Sequence, residues 1–120
     1  MLILSATLAQ AGDLPSGRSV DLRDVLLDQV GAETWARFRF VSDELDEDAA
    51  QADSREIETD MAALCSRRAL PYLKQNVLKA EVVVISVSDR DVPFGETNPQ
   101  AIQFFEAYRV SDGSCQWEPF

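Results

Sequence analysis

Glu81-Val-Val-Val-Ile-Ser-Val-Ser88 is the most apolar β-branched run in the chain, and its reading decides the fold. β-Branched side chains suit a pleated surface. A near-continuous apolar run belongs to a strand covered on both faces. Further on, Ile102, Phe104, Glu106, Tyr108 and Val110 alternate with Gln103, Phe105, Ala107 and Arg109. That alternation predicts a second strand with two unlike faces. Asp112-Gly113 is a hairpin signal, after which Cys115-Gln-Trp-Glu118 returns antiparallel. Residues 80–120 therefore form the framework on which the earlier residues pack.

Upstream, Thr34-Trp-Ala-Arg-Phe-Arg-Phe-Val41 predicts a strand with Ala36, Phe38 and Phe40 on one face and Trp35, Arg37 and Arg39 on the other. Val20 and Leu22 fit a strand, while Asp24 to Val30 is open between a short helical turn and a bulged strand. Asp53-Ser-Arg-Glu56 has the form of a capping box. Ile57, Met61, Leu64, Cys65 and Arg68 then fall on one helical stripe facing the sheet. Pro71 breaks or restarts that helix, because it lacks an N–H and clashes with the preceding turn. The expected fold is α+β, an antiparallel sheet of four to five strands with one main helix packed on one face, in the order β-β-α-β-β-β. Residues 12–120 form a single domain.

The 120 residues carry a formal charge of −10 and no histidine. Fourteen of the 21 acids but only five of the 11 bases lie in residues 1–60, so the surplus belongs to the front half. An acidic surface disfavours direct binding to nucleic acid or an anionic membrane. Without histidine there is no Ser-His-Asp or Cys-His catalysis and no histidine-ligated zinc. The acidic run 42–48 lacks the glycine and closing glutamate of an EF-hand, and no phosphate loop or dinucleotide fingerprint is present. No cofactor and no metal are expected.

Residues 1–11 read as a signal-peptide remnant, an apolar stretch followed by small residues at Ala9 and Ala11. An ordinary N-terminal element is the alternative. Eleven residues are too few to span a bilayer. In an exported protein, one cysteine on the helix stripe and one opening the last strand favour a Cys65–Cys115 disulfide. Two separate buried thiols are the alternative.

Candidate ligand or partner residues are Arg37, Arg39, Asp89, Arg90, Phe94, Glu106, Tyr108 and Trp117. Arg37 and Arg39 are either an anion site or strand arginines paired with acids and aromatic rings. A carboxylate such as Asp89 or Glu106, with Tyr108 or Arg90 as electrophilic partner, is the available acid–base set. An Asp89–Arg90 clasp tying a loop to the sheet is the structural reading.

Val83 to Arg90, Phe94-Gly-Glu96, Gln103 to Arg109 and Cys115 to Glu118, with Trp35 to Phe40 and Leu70-Pro-Tyr-Leu73, resemble a family of small uncharacterised alphaproteobacterial proteins, a domain of unknown function. The resemblance implies export and supplies no activity. The expected function is a non-catalytic periplasmic or secreted binding or accessory module with a protein partner, Trp35, Phe94, Phe105 and Trp117 forming its contact patch. The alternatives are a small-molecule enzyme or ligand carrier built on Asp89–Tyr108, and an acidic decoy of a basic or nucleic-acid-binding partner.

Overall fold

A computed structural model describes residues 14–46 and 54–119. The signal-peptide reading and the Asp53 cap lie outside the described residues. Five strands run β1 (Asp21–Val30), β2 (Glu33–Val41), β3 (Val82–Ser88), β4 (Gln103–Ser111) and β5 (Ser114–Glu118). Between β2 and β3 lie α1 (Ser54–Leu64), a π-helical segment (Cys65–Ala69) and α2 (Leu70–Gln75). The sheet order is β1-β2-β3-β4-β5.

The α+β class and the element order are those read from the sequence. One pairing differs: β2 and β3 run parallel, and the other three pairs are antiparallel. The helical connection causes this, since a crossover that carries the chain back to its starting end delivers a parallel neighbour. β3 becomes the centre of the sheet, and all seven of its residues are buried. The ambiguous Asp24–Val30 stretch belongs to a strand, with an irregularity in register between Leu22 and Asp24. The β4–β5 loop is Asp112-Gly113 with φ of 52° and 74°, the left-handed pair that a two-residue hairpin with the sheet's own twist requires.

The principal core lies on the helix side. Ala36, Phe38 and Phe40 of β2 and Val83, Ile85 and Val87 of β3 meet Ile57, Met61, Leu64, Cys65 and Leu73. Phe38 packs edge-to-face on Tyr72 at 5.4 Å. Arg68, the stripe's polar member, lies with its guanidinium over the Phe40 ring at 5.6 Å. The helix restarts at Pro71, which sits in the first turn of α2. The turns before it widen, with the Leu70 N–H bonding to the Cys65 carbonyl five residues back. This widening accommodates a ring that would otherwise press on the preceding turn. Cys65 and Cys115 are disulfide-bonded with Cα atoms 6.4 Å apart, fastening edge strand β5 to the helix.

Candidate functional site

Among the described residues, the opposite face of the sheet carries no helix. Strand alternation places Trp35, Arg37 and Arg39 of β2, Val82, Val84, Ser86 and Ser88 of β3, and Gln103, Phe105, Ala107 and Arg109 of β4 there. Val82, Val84 and Ala107 form a small second core with Trp35 against it. Further along the face, residues 89–99 cover it.

Asp89 and Arg90 fix the base of this arm. The Asp89 carboxylate accepts from the Ile102 backbone N–H at 3.0 Å and from Arg90 Nε and Nη2 at 3.0 and 2.9 Å. The Asp89 N–H in turn donates to the Ile102 carbonyl. The Arg90 guanidinium, chiefly, and the Ile102 N–H hold the Asp89 carboxyl below its ordinary range. The arm's tip is the turn Pro93-Phe94-Gly95-Glu96, closed by the Glu96 N–H on the Pro93 carbonyl at 3.0 Å. Gly95 has φ of 84°, the conformation that the third position of a type II turn demands. That turn projects Phe94 back over the sheet.

Two arginines receive it. The Phe94 ring lies 5.6 Å from the Arg39 guanidinium and 5.9 Å from that of Arg37. Arg39 also donates to the Val92 carbonyl and pairs with Asp24 at 3.1 Å. Arg37 pairs with Asp28 at 3.3 Å and lies 5.6 Å from the Trp35 ring. The arginines thus balance their charge on β1 and hold the aromatic tip through the ring's negative face. Arg37 Nε is buried and unpartnered. Farther along, Arg109 bridges Glu33 at 2.7 Å and Glu118 at 2.8 Å, and with the Trp35 indole it holds the Glu33 carboxyl below its ordinary range.

Between tip and sheet lies a cleft of about 290 Å³. Val84 and Ser86 lie at its base, Phe94 and Phe105 in its apolar walls, and Arg37, Arg39, Thr97 and Gln103 at its polar edges. Phe94 and Phe105 are 57% and 52% exposed. A second cavity of about 180 Å³, on Asp24, Ser88, Arg90 and Asp91, shares Arg39, Ser86, Val92, Pro93 and Gln103 with the first.

The sequence candidates separate into two groups. Arg37, Arg39, Asp89, Arg90 and Phe94 belong to the arm and the face beneath it. Glu106, Tyr108 and Trp117 lie on the helix side, around a groove with Glu58, Thr59 and Ala62. Asp89 and Arg90 therefore share no cavity with Glu106 and Tyr108, and among the described residues no acid–base set spans the four. The expected contact patch divides too, with Trp117 on the far side from Trp35, Phe94 and Phe105. Val84 and Ser86, which complete the cleft, are not among the residues singled out from sequence; the alternation of β3 is the signal available for them.

No three of His, Cys, Asp or Glu among the described residues gather as a metal site. No helix among them is long and apolar enough to cross a membrane. The profile of a family of unknown function, DUF6497, matches residues 2–120, and the chain belongs to that family. No curated protein and no solved structure matches.

Proposed function

We propose that this member of DUF6497 is an exported, non-catalytic binding module that takes a protein partner on the helix-free face of its sheet. The observation that carries this reading is the Phe94–Phe105 cleft. Two aromatic rings, each more than half exposed, wall an apolar recess beside a turn anchored from both ends. Exposed aromatics around a small recess suit an apolar anchor residue of a partner. The arginines are matched by acids across the strand pair, so the face offers shape and ring surface more than net charge. A disulfide supports residence in an oxidising compartment.

The test is photo-crosslinking in the native host, with a photoreactive residue at Phe105 or, as controls, at Gln116 or Val77. The reading expects one discrete adduct from position 105 and none from the controls, and expects the captured protein to bind the Phe94→Ala variant at least tenfold more weakly. Equal adducts from all three positions would contradict it.

A further inference from the structure

On the helix side, a groove of about 540 Å³ opens between Glu58, Thr59 and Ala62 of α1 and Glu106, Tyr108 and Trp117 of the sheet. Three features distinguish it.

First, its two carboxylates have no cation. Asp24, Asp28, Glu33, Glu56, Asp60, Asp89, Asp91 and Glu118 all pair with arginines. Neither Glu58 nor Glu106 has such a partner among the described residues, and no lysine or arginine lines the groove.

Second, the Tyr108 hydroxyl is buried and unpartnered, in a residue only 3% exposed. A buried polar group left unbonded is costly, because it has given up water and gained no partner. Burial first, then the charges of Glu106 and Glu58, push this phenol well above its ordinary range, so its oxygen stays neutral and able to accept.

Third, Trp117 is 62% exposed, and its indole is tied to the groove by a hydrogen bond. Its Nε1–H donates to Glu106 Oε2 at 2.8 Å, and it stands opposite Tyr108 in the strand register. One bond therefore sets both an aromatic wall and a carboxylate.

From this arrangement we propose that the groove binds an alkylammonium group. The ammonium's three N–H donors meet Glu58, Glu106 and the Tyr108 oxygen, and its alkyl chain lies on the Trp117 ring. An –NH₃⁺ head has three donors and no acceptor, and an indole face attracts a cation and its methylenes. A calcium ion would need six to eight oxygens; Glu58, Glu106 and Tyr108 offer five, one of them already accepting from Trp117, beside an apolar wall. The site is independent of the Phe94–Phe105 cleft, which lies on the other face of the sheet.

Titration of the full-length, disulfide-bonded protein with 1,5-diaminopentane or with trilysine, followed by the two indole N–H signals in an ¹⁵N spectrum, tests the proposal. The Trp117 signal is expected to move saturably while that of Trp35 stays. Glu58→Gln and Glu106→Gln should each weaken binding about tenfold or more, as loss of a charged hydrogen bond does. Asp112→Asn, which removes the same charge at the distant β4–β5 turn, should change it less than twofold. Tyr108→Phe should weaken binding while leaving the melting temperature of the free protein unchanged or higher. Tighter binding of trilysine assigns the groove to a protein's lysine, and tighter binding of the diamine to a free polyamine; either upholds the site. No saturable shift with either probe, equal weakening by Asp112→Asn, or undiminished binding by Tyr108→Phe overturns it.

Discussion

The sulfur of Cys65, in the π-helical segment, is bonded to that of Cys115, near the start of the edge strand, across 50 residues of sequence. Strand β5 is short, pairs only with β4 and has no buried residue among its five. Its attachment to the rest of the protein therefore rests largely on this bond and on the hairpin.

Cys65→Ala/Cys115→Ala is expected to lower stability by up to about 4 kcal/mol, the loop-closure entropy for a ring of this length. Hydrogen exchange should show the loss first in residues 114–118, with Val82–Ser88 still protected. Equal loss of protection in both strands would show that β5 and the centre of the sheet open together.

Arg39 joins three elements: Asp24 on β1, the Val92 carbonyl, and the Phe94 ring. Arg39→Ala leaves Asp24 and the Val92 carbonyl without their cation and Phe94 with Arg37 alone, and should cost about 1–3 kcal/mol. The diagnostic change is local, faster amide exchange across residues 92–96 with little change in β3. Arg39→Lys should fall between, because an ammonium cannot make the forked contacts of a guanidinium.

The Asp89 clasp gives stability a defined pH dependence. A carboxylate whose folded pKa lies below its ordinary value, 3.8, contributes fully above that value and loses the contribution as pH falls through the folded pKa. The wild type should therefore be more stable than Asp89→Asn at pH 6. The difference should shrink as melts are taken below about pH 4. A difference that stays constant down to pH 2.5 would show that the charge of Asp89 contributes nothing.

Fold and recognition should separate by substitution. Phe38 is fully buried on the helix side, and Phe38→Ala should cost about 3–5 kcal/mol in urea unfolding. Phe105 stands on the exposed wall of the cleft, and Phe105→Ser should change stability by no more than about 0.5 kcal/mol while weakening partner binding.

Much of this was legible in the residues. The β-branched run from Val82 to Val87 predicts a doubly covered strand, and it is the central one. Asp112-Gly113 marks the hairpin, and the Ile57–Met61–Leu64–Cys65 stripe marks the helix face. The parallel β2–β3 pair was less visible, because alternation reports which face a residue takes and not the direction of its neighbour. The split of the candidate residues has the same origin. Asp89 and Arg90 follow β3 and Glu106 and Tyr108 lie on β4, close in sequence. Yet the first two close a loop at the strand end while the latter point to the helix side. Phe94 over Arg37 and Arg39 depends on how residues 89–99 fold back; the two prolines and one glycine of that stretch mark a loop and not the path it takes.

The most direct test of the account is a chemical-shift map of the ¹⁵N-labelled protein titrated with the partner captured at position 105. The account predicts shifts concentrated at Arg37, Arg39, Val84, Ser86, Phe94, Gln103 and Phe105, with the α1 amides unmoved. Shifts concentrated on α1 and β5 instead would contradict it.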